Sequence, residues 1–142
     1  MPHLINLWFK NYRDLEVSVS VHADGKLEIT KDEIQTKVEL RLRQANIRPR
    51  KSIPASEIFD APSLQVNLAV VGSACNIQIE LQRFATWEAP DGSPGRNWVS
   101  TWEDATVGTH GNSRSSVMSH LDNLLDQFLN DYLRANQGRN EP

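Results

Sequence analysis

Cysteine is nearly absent from this chain: its 142 residues include one, Cys75. A single thiol excludes an internal disulfide and a thiolate zinc site built by one chain. Its place between two strand-like runs reads as a small residue filling a hairpin end. Long apolar runs are missing too, none approaching the roughly 20 residues of a membrane-spanning helix. Residues 1–9 lack the basic leader, long apolar centre and small-residue cleavage site of a signal peptide, so the sequence defaults to the cytoplasm unless an export signal precedes it. Neither charge sign is in large excess. The net charge of -3 gives no global attraction to nucleic acid or to anionic lipid.

The signatures of common chemistries are also missing. The glycines at 92, 95, 108 and 111 fit neither G-x-x-x-x-G-K-[ST] nor G-x-G-x-x-G, and His3, His22, His110 and His120 show neither H-x-x-x-H nor H-E-x-x-H spacing. No G-x-S-x-G accompanies the serines. The carboxylates Glu103-Asp104, and Glu88 with Asp91, read as solvated charges, because no spacing sets two of them across a cleft. The inventory leads to no catalytic residue, no cofactor and no metal. Internal repeats, sustained heptads and low-complexity tracts are absent.

What the sequence does contain is pattern. In residues 113–136, SRSSVMSHLDNLLDQFLNDYLRAN, apolar side chains fall at 117, 118, 121, 124, 125, 128, 129, 132 and 133. That i, i+3, i+4, i+7 series predicts an amphipathic helix with a broad buried stripe. Asn112, Ser113 or Ser115 can cap its start, and Gly138 stands where a stop is expected. A second helix begins at the capping box Thr30-Lys31-Asp32-Glu33, with Ile29 and Ile34 placed as a hydrophobic staple. It runs to about Asn46, burying Ile34, Val38, Leu42 and Ala45, with acids at its start and Arg41 and Arg43 at its end.

Strands fill the remainder. Val17, Val19 and Val21 alternate with serines, and Asp24-Gly25 suggests a tight return through Leu27 and Ile29. Residues 47–62 carry Pro49, Pro54 and Pro62, which leaves room for a short edge strand and a loop. Leu64, Val66, Leu68 and Val70, then Ile77, Ile79 and Leu81, read as an antiparallel hairpin across Gly72-Ser73. Residues 87–97, WEAPDGSPGRN, predict a long exposed loop. The returning strand, 98–107, needs a bulge near Glu103-Asp104 to reconcile its two faces. The fold class that follows is α+β: a two-layer sandwich, with a mostly antiparallel sheet of about four or five strands and both helices on one face. Ser18, Ser20, Gln65, Asn67, Gln78, Glu80 and Gln82 then form a polar open face. The expected organisation is an apolar arm over 1–14, one domain over 15–138 and a disordered tail over 139–142.

Two surface features stand out. Lys37, Arg41, Arg43, Arg48, Arg50 and Lys51 crowd one helix end and the loop after it, broken by Glu39. Arg41, Arg48, Arg50 and Lys51 are the candidate anion patch, although without interleaved aromatics they do not favour nucleic acid. The chain also carries four tryptophans, Trp8, Trp87, Trp98 and Trp102. Trp8 and Phe9 in the arm, with Trp87 and Trp98 bracketing the loop, are the candidate partner contacts. The serine-flanked strand 15–21 is expected to be an unguarded edge beside that arm, open to a partner or to a second copy.

VELRLRQANI (38–47), LDQFLNDYLRAN (125–136) and the TW at 101–102 resemble small uncharacterised bacterial α+β proteins, many of which carry an export signal. The resemblance spans roughly residues 15–136. It implies an α+β fold and a periplasmic address and brings no catalytic residues. A looser likeness, in fold pattern alone, is to accessory domains of envelope assemblies. The function expected is a non-enzymatic binding or assembly module working through protein–protein contacts. The alternative is a small-molecule-binding protein or hydrolase whose site forms only in three dimensions.

Overall fold

The computed structural model describes residues 7–24, 27–109 and 113–136. The elements run β1 (Asp14–Ala23), α1 (Lys31–Gln44), β2 (Arg48–Arg50), β3 (Ser63–Val71), β4 (Ala74–Glu88), β5 (Pro94–Thr109) and α2 (Arg114–Asn136). Five strands form one mixed sheet in the order β2-β1-β3-β4-β5, and both helices cover one face of it. The architecture is thus a two-layer α+β sandwich. β1 runs parallel to both β2 and β3, while β3–β4 and β4–β5 are antiparallel.

Period-2 alternation builds the core. Val17, Leu64, Leu81 and Trp102 stand opposite one another across four strands, and Val19, Val66 and Ile79 form the next row. All are buried, whereas Ser18, Ser20 and Asn67 on the other face are exposed. The stripe of α2 closes this layer: Val117, Leu121, Leu124, Leu125, Phe128, Leu129 and Tyr132 are buried. Ser113 caps that helix, its hydroxyl oxygen accepting from the Ser116 amide at 3.3 Å. Gly138 and the segment 139–142 lie outside the described residues, as do Asn112, His3 and His110.

α1 starts as its capping residues dictate. The Thr30 hydroxyl oxygen accepts from the Glu33 amide at 3.2 Å. The Glu33 carboxylate reaches back to Thr30 by accepting its hydroxyl at 3.4 Å, and it also pairs with Arg114 across the helices. The helix stops in a Schellman arrangement: Asn46 takes a left-handed φ of 61°, and the Ile47 and Asn46 amides donate to Leu42 and Arg43 carbonyls.

Four expectations about the sheet are corrected. Leu27 and Ile29 are buried but form no return strand, since the chain turns directly into α1 and β1 is flanked by β2 and β3. β1 is therefore interior and not an open edge. The loop expected over 87–97 shrinks to the turn between Glu88 and Pro94, closed by bonds from the Ala89 amide to the Ser93 carbonyl and from the Gly92 amide to the Ala89 carbonyl. Gly92 holds φ at 83°, and Asp91 accepts both the Ser93 hydroxyl and amide. The bulge lies not at Glu103-Asp104 but at Thr101: Leu81 faces Trp102 and Gln82 faces Ser100, leaving Thr101 extra.

The N-terminal segment is anchored to the same core. Asn136, fully buried, accepts the Phe9 amide and donates to the carbonyls of Leu7 and Tyr132, and the Tyr132 hydroxyl donates to the Tyr12 carbonyl. No described helix is long and apolar enough to cross a membrane.

Candidate functional site

The longest departure from the compact core is the far end of the β4–β5 hairpin. Ser63↔Gln82 is the last pair between β3 and β4, so among the described residues β4 beyond Gln82 pairs with β5 alone. Residues 83–88 and 94–99 make a two-stranded arm. A lone hairpin is marginal in water unless side chains brace it, and this one is braced by aromatics. Phe84 stands opposite Trp98, with ring centroids 5.4 Å apart in edge-to-face geometry. Phe59, from the segment between β2 and β3, adds a second edge-to-face contact on Phe84 at 5.3 Å. On the other face, the Arg83 guanidinium lies 4.1 Å from the Phe9 ring centroid and donates to the Trp8 carbonyl. Such pairs contribute about 0.5–1.5 kcal/mol each beyond area burial, and burial pulls the Arg83 pKa down.

Near the tip, Trp87 lies flat across Gly95, directly opposite it in the ladder. A Cβ at residue 95 would sit inside the Trp87 indole, so only glycine admits this packing. The bracing still leaves large apolar side chains outside: Phe59 is 48% exposed, Trp87 49%, Val99 38% and Trp8 43%. Trp98 and Phe84 are half-buried.

The candidate contacts therefore divide. Trp87 and Trp98 stand on one rigid arm. Trp8 is exposed at its base. Phe9 is not available to a partner: at 1% exposure it is a core residue, wedged between Arg83 and Tyr132. Trp102 is structural, its indole N–H donating to Asp131 at 2.9 Å and its ring packing on Phe128. Phe59 and Phe84 were missed. Phe84 sits at the polar-side parity of β4, and Phe59 lies in a proline-bounded segment whose destination no periodicity reveals.

The anion patch does not assemble. Arg41 faces α2 and pairs with Asp122 at 2.9 Å and with Asp126, while Lys37 also reaches Asp122. Arg48 and Arg50 share Asp14, and Arg50 lies 3.8 Å from Glu57. The hydrogen bond to Asp14, then its charge, holds the Arg48 pKa above the usual value. Carboxylates thus occupy each of these arginines in two separate places. Lys51 alone is exposed with no ion pair to a described residue.

Other depressions offer less chemistry. A polar dimple of about 160 Å³ on the open sheet face is lined by Ser20, His22, Asn67 and Gln78 among others. A shallow groove of about 550 Å³ beside α1 has Leu40 and Met118 in its wall; of its charged residues, Glu33 pairs with Arg114 and Lys37 with Asp122, while Asp32 lies at the rim in the first turn of α1. Among the described residues, no group of three or more His, Cys, Asp or Glu side chains is placed to hold a metal ion. Cys75 is buried, and desolvation raises its pKa, which suppresses the reactive thiolate.

No protein-family model matches the sequence, and no curated protein matches it. Among solved structures the chain is similar to a minor lipoprotein from Acinetobacter baumannii, at 12% identity and a TM-score of 0.27, over 87% of this chain and 85% of that one. It is also similar to a PelC dodecamer from Paraburkholderia phytofirmans, at 17% identity and a TM-score of 0.38, over 89% of this chain and 88% of that one. Both neighbours are bacterial proteins of about this chain's size.

Proposed function

We propose that the protein is a binding module that docks a protein partner on the β4–β5 arm. The observation that carries this reading is the arm itself. It is a two-stranded projection fixed by Phe59–Phe84–Trp98 and Arg83–Phe9 contacts, and Trp87 and Val99 on it, with the bracing Phe59 beside it, still face solvent. Rigid, partly exposed aromatics contribute much to protein interfaces because they bury a large area while losing little conformational entropy. The alternative of a small-molecule or hydrolytic site has less behind it, because the depressions are open and, among the described residues, no cluster of three or more His, Cys, Asp or Glu side chains converges to hold a metal ion.

The experiment is a photo-crosslinking amino acid placed singly at Phe59 and at Trp87 in cells that make the protein, with Thr36 on α1 as the control position. The expected result is a discrete protein adduct from Trp87 on the arm and from Phe59 at its base, and none from Thr36. Absence of adducts from the arm, or equal adducts from all three positions, contradicts the proposal.

A further inference from the structure

β5 ends the sheet, and over Pro94–Thr109 only one of its sides is paired with a strand among the described residues. The opposite edge, β2, is three residues long and carries Pro49, which cannot donate to another strand. β5 is less guarded along its length: its proline is at the tip, it contains no lysine, and one bulge, at Thr101, interrupts its sixteen residues. Two of its amides, those of Trp98 and Ala105, are taken up at 2.8 Å by the side chains of Asn97 and Asp104 instead of by a further strand.

The residues along this edge are self-complementary. Arg96, Trp98, Ser100 and Glu103 pair with Thr86, Phe84, Gln82 and Glu80, which puts all four on the open side of the sheet. Val99, opposite Arg83, lies on the other side. In an antiparallel pairing of two β5 strands about a two-fold axis at Val99, valine meets valine and Trp98 stands opposite Ser100. With Thr101 bulged out, Arg96 then falls opposite Glu103. Every match joins residues of the same face, and the arginine–glutamate match occurs twice, as the symmetry requires. Arg96 is exposed with no ion pair to a described residue, and Glu103 is exposed, accepting a hydrogen bond from Gln78.

We infer that β5 is a homodimerisation edge, on which a second copy of this chain pairs antiparallel about Val99 and extends the sheet. Each arm then lies beside the body of the other copy, and the half of β5 beyond the bulge gains a neighbour. This inference rests on the reading of the arm as a contact element, but it uses the strand edge and not the aromatic face.

The test is sedimentation velocity of the purified full chain from dilute to millimolar concentration, with melts to confirm folding. Wild type is expected to show a monomer–dimer equilibrium. Arg96→Glu and Glu103→Arg should each weaken the dimer by about tenfold or more, by turning two attractions into two repulsions. The double variant should restore it, and Val99→Lys, placing two ammonium groups at the axis, should abolish it. A wild-type chain that stays monomeric, or a dimer indifferent to the single reversals, overturns the inference. If the chain is monomeric while Phe59 still crosslinks a different protein, the edge pairing fails and the arm's binding role stands. A dimer without any other adduct supports the edge pairing and removes the separate partner.

Discussion

Leu125→Asp is expected to abolish the cooperative melt. Leu125 is fully buried in the centre of the α2 stripe, in the same core as Val66, Ile79 and Leu81. The substitution forfeits about 1.5–3 kcal/mol of apolar burial. It also asks a carboxylate to enter a site with no cation, which costs several kcal/mol more or forces the group to protonate. Domains of this kind hold about 5–15 kcal/mol in total. Leu40→Asp is the control, since Leu40 sits on α1 with 52% of its surface in solvent, and exposed changes usually stay within about 0.5 kcal/mol. Circular dichroism melts of both variants give the comparison. A cooperative transition near the wild-type temperature for Leu125→Asp means the stripe is not the buried face.

Asn136→Leu is expected to release the N-terminal segment from the end of α2. The side chain is buried and bridges the Phe9 amide at 3.2 Å and the Leu7 carbonyl at 2.8 Å. Leucine fills similar volume and satisfies neither group, and each stranded buried group costs about 1–3 kcal/mol. The loss also loosens the position of Phe9, on whose ring Arg83 rests, so the damage reaches the base of the arm. Limited trypsin digestion reads this directly, because Lys10 and Arg13 are exposed. Cleavage there should accelerate markedly, with a melt lowered by several degrees but still cooperative. Unchanged protection of Lys10 means the asparagine is not the anchor.

Much of the fold was legible because hydrophobic periodicity reports burial directly. All nine apolar positions read from 113–136 are buried or half-buried, and the alternation at 64–70 and 77–81 marks the inward side chains correctly. Period 2 does not say which strand lies beside which, or in what direction. That is why β1 was expected at an edge, although it lies parallel between β2 and β3. The arm was hidden for a different reason. Its Pro-Asp-Gly-Ser-Pro-Gly run carries turn residues, yet Gly95 belongs to a strand because a tryptophan needs the space a side chain would fill. The basic cluster was overestimated because its counter-charges, Asp14, Asp122 and Asp126, come from distant parts of the sequence.

If contact with other chains runs through β5 and its arm, pairing there must protect its backbone amides. Amide hydrogen exchange of the full chain, compared between dilute and concentrated protein, reads this protection. The expected result is slower exchange in Pro94–Thr109, with α1 and β2 unchanged. Exchange in β5 that ignores concentration, or protection gained at the α1–β2 end instead, contradicts it.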